Sequence, residues 1–273
     1  MIKSEVTNDQ FYTKHKIAND LINKTKSRLK SIDMYVEPSA GSGAFYRLLP
    51  ETYRLGLDID PKISEIEKID YFDFNSDMLK ESYSNICVIG NPPFGKNSSL
   101  AVKFFNHSAS FAKYIAFILP RTFRKDSIVN RLNRSFHLTY EEILNKNSFE
   151  LLDKSDYSVP CVFQIWERKS NLRDIIIKDR NHKDWTWVSK TNNPDFAIRR
   201  VGVNAGKIYK FNDKISESSH YFLKSNDKVF ENFNVLFNKD YKFENNNTQK
   251  YDTVGNPSLS MPNLVEDYKR NFN

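Results

Sequence analysis

Hydrophobic positions in the first 170 residues follow two rhythms. Short β-type runs at Met34–Glu37, Arg54–Asp58, Ile86–Gly90, Tyr114–Leu119 and Val162–Trp166 predict strands. After the third of these, Val102, Phe105, Ala109 and Ala112 keep helical spacing and predict a helix over Leu100–Phe111. Ahead of the first strand, Ile17, Leu21, Ile22 and Leu29 share one face of an amphipathic helix over Lys16–Lys30, whose other face is rich in Lys and Asn. Strands alternating with helices predict βαβ units, a parallel sheet and an α/β fold. Past Lys169 the pattern loosens into Asn-rich polar sequence. It holds β-like pieces at Asp195–Val201, Lys207–Phe211 and Tyr221–Leu223, and a helical segment near Lys228–Phe237. The Asn245–Asn247 run reads as an exposed loop. The expected division is a catalytic domain over 1–168 and a small C-terminal accessory or target-recognition region over 169–273.

Composition narrows the class. Of 273 residues, 39% are hydrophobic and 14% aromatic, enough for a packed core and too many for wholesale disorder. Apolar runs such as Ile115–Leu119 are too short to span a bilayer, and MIKSEVTNDQ lacks the apolar centre of a secretory signal. The two cysteines, Cys87 and Cys161, each sit in an apolar run, and the five histidines lack metal-ligand spacing. The expectation is an intracellular protein with no membrane and no metal. A net charge of +7 suits a polyanionic partner.

Chemistry enters at Glu37-Pro38-Ser39-Ala40-Gly41-Ser42-Gly43, which reads as strand, tight turn, then helix. Two glycines one residue apart let the backbone approach a ligand closely, and a helix start would offer free N–H groups. A dinucleotide fingerprint would need glycine where Tyr46 stands, so a nicotinamide cofactor is disfavoured. Glu37 instead suits a ligand carrying an ammonium group. Asp58, at the end of the second strand, is placed to accept two ribose hydroxyls.

In Asn91-Pro92-Pro93-Phe94, a β-branched strand runs into a rigid loop. Each proline fixes φ and removes an N–H, so nearby carbonyls keep no competing donor. The Asn91 side-chain carbonyl and the Pro92 backbone carbonyl offer two fixed acceptors for an –NH₂ group. Phe94 offers a flat face for a base. An amine conjugated to an aromatic ring is a poor nucleophile. Gripping both its hydrogens localises the lone pair, and attack on a sulfonium methyl then depends on positioning and electrostatics.

Together these motifs resemble the S-adenosylmethionine-dependent amino-methyltransferases, most closely the gamma-class adenine DNA methyltransferases, over about Gln10–Glu167. The resemblance implies a Rossmann-like class I methyltransferase fold, a seven-stranded, mostly parallel sheet with helices on both faces. It makes Asn91, Pro92, Pro93 and Phe94 the catalytic loop. It assigns Glu37, Pro38, Ser39, Ala40, Gly41 and Gly43 to the methionine-binding turn and Asp58 and Ile59 to the ribose-binding strand end. Asp73 and Phe74 would contact the cofactor adenine, and Tyr12 and Thr13 would form the N-terminal cofactor motif. Lys14 stands where the family usually has proline. Asn91 would border the cofactor as well as the amine, and Pro160 or Val162 would pack against a flipped base.

The amine in DNA adenine is the expected acceptor; the base would have to leave the duplex to meet Asn91 and Phe94. RNA adenine offers the same nitrogen. A protein glutamine amide also fits the loop, although enzymes of that kind carry a sizeable helical domain before the first strand. A non-catalytic nucleic-acid-binding subunit is the remaining alternative, and such subunits commonly lose one of the two motifs retained here. Arg121, Arg124 and Lys125, then Arg131 and Arg134, and Arg199 with Arg200 are candidate phosphate contacts. The mixture of Trp185, Trp187 and Phe196 with Arg199 and Arg200 reads as a target-reading surface or as a lid on the sheet edge.

Overall fold

A computed structural model describes residues 11–79, 81–151, 153–212, 214–237, 249–253 and 255–272. The Asn245–Asn247 run lies outside them. The chain forms two compact units, Met1–Ile175 and Ile176–Asn273.

The first unit is built on seven strands: β1 Met34–Glu37, β2 Arg54–Asp58, β3 Glu67–Lys68, β4 Ile86–Gly90, β5 Tyr114–Pro120, β6 Phe136–Ile143 and β7 Cys161–Arg168. Their order is β3-β2-β1-β4-β5-β7-β6, and β7 alone runs antiparallel to its neighbours. This is the Rossmann-like class I methyltransferase fold. Val36 sits opposite Leu55 on one side and Val88 on the other, and Ile89 opposite Ala116. The central strands β4 and β5 are continuous apolar runs because both faces of the sheet are covered there. Helix α1, His15–Arg28, buries Ala18, Leu21 and Ile22, and helix α2, Ser99–Phe111, buries Ala101, Phe104 and Phe105. Trp166 of β7 packs edge-on to Phe105 at 5.3 Å.

Two expectations are corrected here. No α-helix follows the glycine turn; the chain makes a single 3₁₀ turn, Tyr46–Leu48, and Pro50 begins the next one. The reason is local: Pro50 has no N–H to donate to the Tyr46 carbonyl four residues back, so that carbonyl takes the Leu49 N–H at 3.2 Å and the turn ends as 3₁₀. Strand β6 was not expected, because its alternation is interrupted by Glu141 and Glu142. Those acids are matched inside the unit. Glu141 accepts from Arg124 Nε at 2.9 Å and Gln164 Nε2 at 2.7 Å, and Gln164 accepts from Trp166 Nε1 at 3.0 Å.

The second unit is an antiparallel sheet of β8 Trp185–Val188, β9 Phe196–Arg199, β10 Ile208–Lys210 and β11 His220–Ser225, in the order β8-β11-β9-β10. Helices α4, Asp227–Leu236, and α5, Met261–Phe272, pack with it around Phe196, Ile198, Leu223, Phe233, Leu264 and Tyr268. A one-turn helix, α3, Asp126–Val129, lies in the first unit. Trp185 and Phe196 are core residues here, buried with α4 and α5, so they form no exposed reading surface.

Candidate functional site

In a doubly wound sheet the chain leaves one central strand outward on one side and later returns to its other side. The crevice at the carboxyl ends of those two strands is where ligands bind. Here the switch falls between β1 and β4, and a cleft of about 400 Å³ opens there. Glu37 through Ser42 from the end of β1 line it, with Asp58 and Ile59 from the end of β2 and Asn91, Pro92 and Pro93 from the end of β4.

The turn after β1 is braced from β2. Gly41 N–H donates to Asp58 Oδ2 at 2.7 Å, and Ala40 N–H to the Leu57 carbonyl at 3.0 Å. Gly41 has φ +50°, and a Cβ there would stand 3.3 Å from the Tyr12 ring, so glycine keeps both the turn and the cleft wall open. Asp58 Oδ1 also accepts from Asp60 N–H at 2.8 Å, leaving further lone pairs on both oxygens. Ile59 is two-thirds exposed at the rim, an apolar face over the cleft. Glu37 is 2% exposed. Desolvation pushes its carboxyl well above the usual range, the Asp58 charge adds to this, and the Tyr46 and Phe45 amides oppose it.

Two buried acceptors in the cleft are unmatched. Asn91 Oδ1 is shut off from solvent without a hydrogen-bond partner, and so is Thr13 Oγ1. Buried polar atoms without partners are uncommon and costly, and both residues line the cleft. The Asn91 backbone carbonyl, by contrast, accepts from Ser39 Oγ at 3.1 Å, tying the amine loop to the glycine turn. Thr13 lies on a two-residue strand, Tyr12–Thr13, paired with Phe149–Glu150. Lys14 N–H donates to the Ser148 carbonyl at 3.1 Å, a bond that proline at this position could not make.

Several expected residues lie elsewhere. Asp73 and Phe74 do not line the cleft; Asp70 and Phe72 do. The cause is a 3₁₀ turn, Tyr71–Asp73, capped by Asp70, which sends Phe74 into the core at 2% exposure and leaves Phe72 39% exposed. Gly43 is buried beneath the turn. The Phe94 ring is 5% exposed, with Phe11 edge-on to it at 5.4 Å; Phe11 in turn stacks on Tyr157 at 5.2 Å. Phe11 lines the cleft with Tyr12 and Thr13, the three residues that resemble the N-terminal cofactor motif. Val162 is fully buried within β7, whereas Pro160 is exposed and accepts from Arg121 N–H.

The cations also separate. Arg124 is held by Glu141, and Arg134 Nε donates to the Arg173 carbonyl. Lys125 follows the 3₁₀ turn Arg121–Arg124 after β5. In the second unit Arg199 donates to the Val201 carbonyl and Arg200 to that of Ser218. Among the described residues no group of three or more His, Cys, Asp and Glu could hold a metal ion, and no helix is long and apolar enough to cross a membrane.

No family model and no curated protein matches the chain. Among solved structures, it is similar to a modification subunit assigned to a type I restriction enzyme of Vibrio vulnificus YJ016, at 13% identity and a TM-score of 0.44. That match covers 67% of this chain and 47% of the subunit, so the chain spans about half the subunit's length. A protein assigned as an RNA methyltransferase from Pyrococcus horikoshii matches at 16% identity and a TM-score of 0.46, over 61% of this chain and 91% of that one. The 23S rRNA methyltransferase ErmE matches at 13% identity and a TM-score of 0.41, over 60% and 71%. These likenesses concern the fold, which the strand order of the first unit establishes independently.

Proposed function

We propose that this chain is an S-adenosylmethionine-dependent methyltransferase that methylates the exocyclic amine of adenine in DNA. The observation that supports it best is the buried, unpartnered Asn91 Oδ1 at the switch-point cleft, beside two prolines that remove competing donors. The cofactor fits the remaining lining. Thr13 Oγ1 is an unmatched polar atom, the Asp58 carboxylate retains lone pairs for ribose hydroxyls, and Ile59 is an apolar surface for an adenine ring. Glu37 carries a carboxyl that a ligand's ammonium group would stabilise in its charged form.

When bound, the cofactor supplies an electrophilic methyl group on a sulfonium centre. The chain's part is to position the nucleophile. Asn91 Oδ1 would accept one amine hydrogen and the Pro92 carbonyl the other, drawing the nitrogen lone pair out of conjugation. The N–C bond would then form as the methyl–sulfur bond breaks, a neutral thioether would leave, and the acidic methylammonium would lose one proton to solvent. The Ser39 bond to the Asn91 carbonyl holds this loop in register with the glycine turn.

The test is transfer of labelled methyl from S-adenosylmethionine to duplex DNA, single-stranded DNA and RNA, followed by digestion to nucleosides. Label in methyl-deoxyadenosine is expected. Label in RNA methyl-adenosine overturns the polymer assignment, and no label in any nucleic acid overturns the function.

A further inference from the structure

A second cavity, of about 470 Å³, adjoins the cleft and shares Phe72 with it. Its other walls are Ser99, Val102, Lys103 and Asn106 on one face of α2, and Arg131 from the loop after α3. Helix α2, which forms this wall, begins five residues past Phe94.

Three features distinguish it from a solvated surface. First, it is preformed: Asn106 Nδ2 donates to the Arg131 carbonyl at 2.9 Å, and Asn106 Oδ1 accepts from Asn133 N–H at 2.8 Å, pinning the loop to the helix. Second, its cations are available. Lys103 and Arg131 are exposed and pair with no acid among the described residues, whereas Lys24 and Arg124 are held by Glu142 and Glu141. No Asp or Glu lines the groove. Third, Phe72 is 39% exposed and steadied by edge contacts with Phe104 at 5.0 Å and His107 at 5.6 Å. Unpaired cations beside an exposed, immobilised aromatic ring are what an unstacked nucleic-acid strand needs: charge for phosphates and a flat surface for a base.

We infer that this groove holds the strand flanking the target nucleotide, with phosphates on Lys103 and Arg131 and one unpaired base against Phe72. The inference rests on the reading that the substrate is a nucleic acid, and it separates Arg131 from Arg124 and Arg134, whose guanidinium groups are already engaged.

The test is fluorescence anisotropy of labelled single-stranded and duplex oligonucleotides between 50 and 200 mM salt, with the full chain. The K103E/R131E and K103Q/R131Q pairs are compared with K16E/K26E, a control reversal of equal charge on α1. At the lowest salt K103E/R131E is expected to lose about tenfold in affinity. In K103Q/R131Q the slope of log K against log salt should fall by about 1.4 on single strands and about 1.8 on duplex, two phosphates' worth. Unchanged cofactor affinity shows that the variants are folded. Losses no larger than the control's, with methyl transfer intact, overturn the groove and leave the function standing. Failure of the wild-type chain to bind or methylate any oligonucleotide overturns both.

Discussion

Replacing Asn91 by alanine should move stability and activity in opposite directions. In the resting protein Asn91 Oδ1 is buried and accepts nothing. A buried polar atom in that state costs about 1–3 kcal/mol. Truncation removes this cost and forfeits the packing of a partly buried side chain, about 1 kcal/mol. The backbone bond from Ser39 to the Asn91 carbonyl is untouched. Asn91→Ala should therefore be between neutral and about 2 kcal/mol more stable, a rise in Tm of no more than about 8 °C for a unit of this size. In transfer, the same carbonyl would grip an amine hydrogen, and losing one preorganised partner costs about 10²–10³ in kcat. Differential scanning fluorimetry and single-turnover methyl transfer, with cofactor affinity nearly intact by calorimetry, read the two effects. A Tm lowered by more than about 3 °C would mean the carbonyl is paired in the fold. A variant keeping more than about a tenth of the wild-type rate would refute the gripping role.

Other consequences are equally direct. Asp58→Ala removes the acceptor of the Gly41 and Asp60 amides and should weaken cofactor binding about tenfold or more by calorimetry; unchanged affinity would move the ribose contact to Asp60. Gly95 has φ +65°, and a Cβ there would lie 2.7 Å from Leu100 Cβ, so Gly95→Ala should cost about 2–3 kcal/mol in urea unfolding; a cost below about 0.5 kcal/mol would refute the clash. Burial pushes the Asp267 carboxyl on α5 up to about 6. Its folded value is the higher one, so the stability it contributes is complete in acid and is lost as pH rises through about 6. Asp267→Asn should then be about 3 kcal/mol more stable than wild type at pH 8 and equal to it below about pH 4. Equal melting curves at pH 8 would count against that burial.

The sheet of the first unit was legible because its strands are buried on both faces. Short β-type runs fixed β1, β2 and β4 with the bounds the structure shows, and Ser99–Phe111 extends the expected helix by one residue. What escaped was whatever depends on partners distant in sequence. β6 carries its charges inward to Arg124 and Gln164, contacts that no periodicity reveals. β8 was missed because Trp185 and Trp187 were read as surface aromatics, and α5 because its apolar residues Leu264, Val265 and Tyr268 are separated by charges. At the site, the glycine and proline turns could be located from their local motifs, Glu37–Gly43 and Asn91–Phe94. The shift from Asp73 and Phe74 to Asp70 and Phe72 could not, since it is set by one 3₁₀ turn and its cap.

Strand β6 also sets the edge of the first unit's sheet. It is eight residues long, pairs only with β7 among the described residues, and leaves Leu138 and Ile143 nearly half exposed. An open edge of that length is a template on which a stray strand can add and a fibril can start. The Lys24 ammonium from α1 is 2.7 Å from Glu142, and the Arg28 guanidinium lies 3.9 Å from the Tyr140 ring centre, both on this strand. An incoming strand would have to dislodge these contacts and bury their charges. The cationic face of α1 thus sets two charges beside this edge, the kind of feature that disfavours strand addition.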